Sequence, residues 1–257
     1  MASATGMPAR PPAAAQVEGI DAGETEPLLG RPGDASQPEG ASIWGNLTMG
    51  TAVIAQLGAF LLLLLVWANV FQQPLIFFSG HPLLQSLAVF TLIQSVLFLQ
   101  PTNTAEQKRL GQRVHAGLNL VALLLLVAGI VVIEYNKYAN RGPHFHSAHA
   151  YFGVITCVLL ALQYLVGFTM WATPVLYGGD ERARSVWKFH RILGYVTLFA
   201  LLFTIVYATN TDYNMEVLKI QWWAVLFGTG LVLVGITARI QVQKLGIRVA
   251  NRPPPAE

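Results

Sequence analysis

HFHSAHAYFGVITCVLLALQYLVGFTMW, residues 144 to 171, sets three histidines within six positions and then runs for twenty-two residues without a charged side chain. About 20 helical residues cross the hydrocarbon core of a bilayer, so the stretch reads as a membrane span entered through a histidine cluster. Ionisable or coordinating groups near membrane depth are costly and mark function by default. The number of such spans, and which of His144, His146 and His149 does chemistry, then decide the protein.

Apolar runs cover Thr48 to Phe71, Gly80 to Gln100, Gln112 to Ile133, Ser147 to Trp171, Lys188 to Asn210 and Leu218 to Gln243. Charged residues make up 11% of the chain, against roughly 25% in a soluble domain. The expected class is therefore all-α: a polytopic membrane protein of six helices. The layout is a cytosolic tail over residues 1–42, a six-helix domain over 43–247 and a second cytosolic tail over 248–257. The first tail, rich in Pro, Ala and Gly and lacking apolar periodicity, is expected to be disordered. No cleavable signal peptide is expected ahead of the first span.

The net charge of +3 is explained by topology, and nucleic acid is not an expected partner. Of the 16 Lys and Arg, only Lys137, Arg141 and Lys219 fall on one side of the six spans, and the other 13 fall on the opposite side. Basic residues collect in the cytosol, so both termini are placed there. The sequon at Asn46 is then cytosolic and should stay unmodified. Glu24, four residues before Leu28 and Leu29, resembles an acidic dileucine sorting signal and points to a vacuolar, lysosomal or endosomal membrane. Cys157, the single cysteine, lies inside the fourth span, so no intramolecular disulfide is possible.

Four spans open on a histidine: His81, His115, His149 and His190, separated by 34, 34 and 41 residues. Successive helices run in opposite directions, so His81 and His149 lie on the non-cytosolic side while His115 and His190 lie near the cytosol. The four make two pairs. Facing helices of a bundle can hold a cofactor between their side chains, and imidazole suits iron as an axial ligand. Two b haems, one per leaflet, fit that pattern; water-satisfied histidines at helix ends are the plain alternative for each one singly.

The helical face beneath each histidine, at four, seven and fourteen residues on, sharpens the choice. It reads Gln85, Ala88 and Ser95 below His81, and Asn119, Ala122 and Gly129 below His115. It reads Gly153, Thr156 and Gln163 below His149, and Gly194, Thr197 and Thr204 below His190. None is large and apolar. Such a stripe leaves room for a macrocycle, although small residues also promote close helix packing.

These residues resemble the cytochrome b561 family, through GHPLLQSL around His81, RVHAGLNL around His115, HFHSAHAYFG around His149 and KFHRILGY around His190. The resemblance spans about residues 43 to 247. It implies six transmembrane helices with a central four-helix bundle, and two haem b groups with iron held by His81 with His149 and by His115 with His190. It implies an ascorbate-dependent oxidoreductase, moving one electron from cytosolic ascorbate to monodehydroascorbate or a ferric chelate across the membrane. It also implies a homodimer. A haem iron with two axial imidazoles has no open position, so substrates must dock at the edges.

Lys108, Arg109 and Arg113 precede His115, and Arg182, Arg184 and Lys188 precede His190; the clusters can draw an anion such as ascorbate. The resemblance singles out Arg109, Arg113 and Arg184 as donor contacts, while ordinary positive-inside bias explains the same charges. His144 resembles a family histidine near the non-cytosolic opening, a candidate acceptor contact. His146 has no assigned task, and a three-imidazole metal site of His144, His146 and His149 is a competing reading.

His81 precedes Pro82 and is placed at the cap of its helix. Glu134 reads as an interfacial anchor. The first and sixth spans, without histidine, should flank the core. A haem-free transporter with a polar-lined pore is the rival function.

Overall fold

The computed structural model describes residues 35–246. The dileucine motif, most of the first tail and the tail over 248–257 lie outside the described residues. Among the described residues every regular element is helical: α1 (Ala52–Phe71), α2 (Gly80–Leu99), α3 (Ala105–Asn140), α4 (Ala148–Ala172), α5 (Asp180–Ala208) and α6 (Trp222–Thr237).

The first five helices are long and apolar enough to cross a membrane. The expected sixth span, Leu218 to Gln243, is shorter than its apolar run. Helix α6 has 16 residues, or ~24 Å at 1.5 Å per residue. The run is interrupted at both ends for local reasons. Asn214 is buried, donates to the carbonyls of Thr209 and Ile220, and accepts from the Ile220 amide, closing a wide turn over Asn214–Leu218 that ends with Lys219 at φ 55°. Beyond Ala238 the guanidinium of Arg239 turns inward to the Asn46 carbonyl at 3.1 Å.

Helices α3 and α5 run past their apolar segments. Helix α3 has 36 residues, ~54 Å long, because Thr104 and Gln107 cap its start reciprocally: the Gln107 amide donates to Thr104 Oγ1 and the Thr104 amide to Gln107 Oε1, both at 3.2 Å. Helix α5 starts at Asp180, eight residues before Lys188, with Asp180 and Glu181 in its first turn, where the helix dipole favours carboxylates. His81 is not at a cap. A short turn over Phe77–Ser79 already carries helical geometry into Gly80, so His81 and Pro82 fall in the first turn of α2, where a missing N–H is tolerated.

Close packing follows the order α3, α2, α1, α6, α5, α4. Helices α1 and α6 approach through glycines: a Cβ added at Gly58 would stand 2.8 Å from the Val232 amide nitrogen, and one at Gly235 would stand 2.7 Å from the Ala55 Cα. Small residues of this kind let helix backbones meet in lipid. The histidine-bearing helices thus form two tight hairpins, α2–α3 and α4–α5, rather than one evenly packed bundle.

Residues 35–42, assigned by sequence to the tail, are held against the end of α2 and the start of α3. The Gln37 amide donates to the Pro101 carbonyl at 2.8 Å, Asn46 Nδ2 to Gln37 Oε1 at 3.0 Å, and Gln107 Nε2 to the Pro38 carbonyl at 3.0 Å.

Candidate functional site

Each hairpin carries one histidine at either end, and three of the four are tethered alike. His81 Nδ1 lies 2.9 Å from the Gly129 carbonyl oxygen, His115 Nδ1 3.3 Å from that of Ser95, and His149 Nδ1 3.0 Å from that of Thr204. A carbonyl can only accept, so Nδ1 carries the proton and donates, and Nε2 is left as the lone-pair nitrogen. Imidazoles that bind metals are oriented this way, with the second nitrogen donating to a carbonyl. The partners Ser95, Gly129 and Thr204 are the residues fourteen beyond His81, His115 and His190. The fourth position of that rule, Gln163, reaches its histidine differently: Gln163 Nε2 donates to the His190 carbonyl at 3.0 Å.

The structure brings His81 and His149 together across the two hairpins, with ring centroids 6.3 Å apart and planes at 81°. Two metal–imidazole bonds of about 2.0–2.1 Å put ring centroids about 6 Å apart, so the pair fits one bound metal. His115 and His190 lie within electrostatic range of each other at the opposite end. An apolar cavity of about 370 Å³ opens beside His190, walled by Val166, Val186, Phe189, Leu193 and Val196. These features fit bis-imidazole haem: free Nε2 atoms, a matching ring separation and an apolar wall for a porphyrin face.

The small-residue stripe does a second job. Its members join the two helices within each hairpin: Gln85 Nε2 donates to the Leu126 carbonyl at 3.1 Å, Asn119 Nδ2 to Ser95 Oγ at 3.0 Å, and the hydroxyls of Thr156 and Thr204 meet at 3.0 Å. Ala88 and Ala122 are fully buried. The seam is therefore packed and internally bonded, and the pore reading loses these polar groups as a lining.

The cluster that opened the sequence reading separates. His144 Nε2 turns to Glu134 Oε2 at 3.0 Å, His146 Nδ1 donates to the Pro143 carbonyl at 3.1 Å, and His149 faces α5. Among the described residues no three His, Cys, Asp or Glu side chains are grouped to hold a metal, so the competing three-imidazole reading has no support there. Glu134 is the partner of His144 rather than a simple anchor.

Arg109, Arg113 and Arg184 stand exposed on the first turns of α3 and α5, at the end that holds His115 and His190; Lys108 is half-buried beside them. Lys188 lies over the Phe189 ring, its Nζ 5.2 Å from the centroid. Two contacts escaped sequence reasoning. Phe78 stacks on the His81 ring at 5.8 Å and 15°. Gly167 backs the other end, where an added Cβ would stand 2.9 Å from His190 Cε1. Gly167 lies eighteen residues, five full turns, after His149, a signal that was available in the spacing.

A family model for eukaryotic cytochrome b561 matches residues 80–216, the stretch from the start of α2 to the turn after α5. The chain belongs to the cytochrome b561 family. Among relatives of this cytochrome b561 chain, the plasma membrane ascorbate-dependent reductase of Mus musculus is 32% identical over 144 residues, 50% of this chain and 49% of the relative. The transmembrane ascorbate-dependent reductase of Homo sapiens is 27% identical over 157 residues, 60% of this chain and 59% of the relative. The lysosomal membrane ascorbate-dependent ferrireductase of Homo sapiens is 25% identical over 139 residues, 51% of this chain and 57% of the relative. The match thus spans about half to three-fifths of these relatives' length.

Proposed function

We propose that this cytochrome b561 chain carries single electrons across the membrane, from ascorbate at the Arg109, Arg113 and Arg184 end to monodehydroascorbate or a ferric chelate at the His81–His149 end. Two haem b groups, one between His81 and His149 and one between His115 and His190, would supply reversible one-electron chemistry. The protein's own residues do the rest. Carbonyls of Gly129, Ser95 and Thr204 fix the tautomer and aim the rings. Helix seams sealed by Ala88, Ala122 and the Thr156–Thr204 pair keep water out of the membrane interior. Exposed arginines with Lys108 attract the ascorbate monoanion.

The observation that carries the reading is the His81–His149 pair: two tethered imidazoles on different hairpins at 6.3 Å. The relatives, named as ascorbate-dependent reductases, supply the donor class. Homodimer formation, and a vacuolar, lysosomal or endosomal membrane, belong to the same proposal. Purified protein should show a low-spin haem spectrum that ascorbate reduces, with two haems per chain. A colourless protein that conducts solute would overturn it.

A further inference from the structure

We infer that the side chain of Gln163 is the tether of His190: its Oε1 accepts the Nδ1 proton of that ring, and through the ring it sets the reduction potential at the His115–His190 end. The inference rests on the haem-relay reading above and adds a positioning residue to it. His190 is the exception among the four histidines. The other three donate from Nδ1 to the main-chain carbonyls of Gly129, Ser95 and Thr204. His190 Nδ1 is buried and has no hydrogen-bond partner.

A matching acceptor lies on the facing helix. Gln163 is buried, its Nε2 donates to the His190 carbonyl at 3.0 Å, and its Oε1 is buried without a partner. A carbonyl only accepts, so the amide nitrogen must face it, and the oxygen is what remains for the ring. The helices leave room for both groups. A Cβ added at Gly194 would stand 3.2 Å from Gln163 Nε2, and one at Gly167, a turn beyond Gln163, would stand 2.9 Å from His190 Cε1 and 3.7 Å from Nδ1. Tyr164, whose hydroxyl is also unpartnered, lies ~100° further round α4, against the hydrophobic core. A buried donor and a buried acceptor left unmade side by side are costly, and torsion of the two side chains is the motion that joins them.

The consequence is electronic. A hydrogen bond from Nδ1 makes the ligating nitrogen more basic, which favours ferric over ferrous iron, and such bonds are one of the protein's levers on haem potential. Three of the four levers are main-chain carbonyls, which no substitution removes. At His190 the lever is a side chain, so this end can be tuned alone.

Potentiometric titration of the purified, haem-loaded full chain, followed by absorbance, reads the bond, with His149→Ala identifying the His115–His190 component. Gln163→Leu should move that component about tenfold toward the reduced form, ~59 mV for a one-electron couple, and leave the His81–His149 component in place. Gln163→Glu loses the amide donor to the His190 carbonyl but keeps Oε1, and its potential should stand no higher than wild type. An unmoved potential in Gln163→Leu would overturn the inference, because a main-chain tether survives substitution; so would a rise in Gln163→Glu equal to that in Gln163→Leu, or equal shifts of both components. Should the leucine variant lose its haem, Gln163→Met keeps the side-chain length without the acceptor and carries the same expectation. Nitrogen-15 NMR of histidine-labelled, haem-free chain, with the His190 signal assigned by its loss in His190→Ala, gives a second readout: Nδ1 should carry the proton, and that proton should exchange about tenfold faster in Gln163→Met than in wild type or Gln163→Glu. Equal exchange in all three would overturn the inference. A wild-type chain that takes up no haem would instead overturn the haem-relay reading, with the NMR measurement still deciding whether Gln163 holds the ring.

Discussion

His81 donates from Nδ1 to the Gly129 carbonyl at 2.9 Å, and Gly129 lies fourteen residues along the helix that begins its span with His115. His115 answers by donating to the Ser95 carbonyl, fourteen residues after His81. Each histidine of the hairpin is thus held by the far end of the other's helix. A break in the α2–α3 seam would disturb both membrane ends at once.

The proposed haem pairing across the hairpins predicts how haem content responds to substitution. His81→Ala and His149→Ala should each lower haem from two per chain to about one, and the double variant should still hold about one. His81→Ala with His115→Ala should hold none. A pyridine haemochrome assay on purified protein reads all four; loss of both haems in the His81, His149 double variant would sink the pairing.

Two glycines of α4 predict opposite outcomes. A Cβ at Gly167 would stand 2.9 Å from His190 Cε1, whereas one at Gly153 would meet only Thr204 Cγ2 at an ordinary 3.9 Å. Gly167→Val should displace the His190 ring and deplete the haem proposed between His115 and His190 selectively, while Gly153→Ala leaves both. Low-temperature absorption spectra, which resolve the two centres, would separate them, and equal loss in both variants would contradict the geometry.

The proposed attraction of the donor by exposed arginines is electrostatic and therefore screened. Replacing Arg109, Arg113 and Arg184 together by Gln should raise the KM for ascorbate about tenfold or more, with the haem spectrum intact. The wild-type advantage should shrink as ionic strength rises and the Debye length falls from ~10 Å at 0.1 M to ~3 Å at 1 M. Stopped-flow reduction at several salt concentrations is the check, and a salt-independent rate would remove these residues from the donor site.

Asn46 is fully buried and bonds the Phe98 carbonyl, Gln37 and, through its own carbonyl, Arg239. Asn46→Ala should cost about 1–3 kcal/mol by leaving buried groups unsatisfied, whereas Glu134→Gln, which removes an exposed pair with His144, should cost under about 1 kcal/mol. Thermal denaturation in detergent compares them; equal midpoints would show that residues 35–46 are not anchored as described.

Much of the site was legible because membrane helices impose a strict period. The spacing of His81, His115, His149 and His190 set which end of the protein each occupies, and the fourteenth residue marked the opposite end of the same helix. The stripe's task was not legible: small residues serve a cofactor or a helix seam equally well in sequence, and only the bonds from Gln85 to the Leu126 carbonyl and between Thr156 and Thr204 show the seam. Residues 35–42 read as tail because their anchors, Pro101 and Gln107, lie more than sixty positions away.

The sequence by itself determined an all-α membrane protein, the histidines that stand at each end, and the end at which the basic residues gather. Hydropathy and a helical repeat are properties of one segment at a time, so they survive without knowledge of neighbours. Tertiary structure decided what depends on neighbours: that α6 stops short, because Asn214 and Arg239 find buried carbonyls; that His144 turns to Glu134; that Gln163 reaches the His190 carbonyl. Those outcomes rest on which polar group lies within hydrogen-bond reach, and chain order alone does not set that distance.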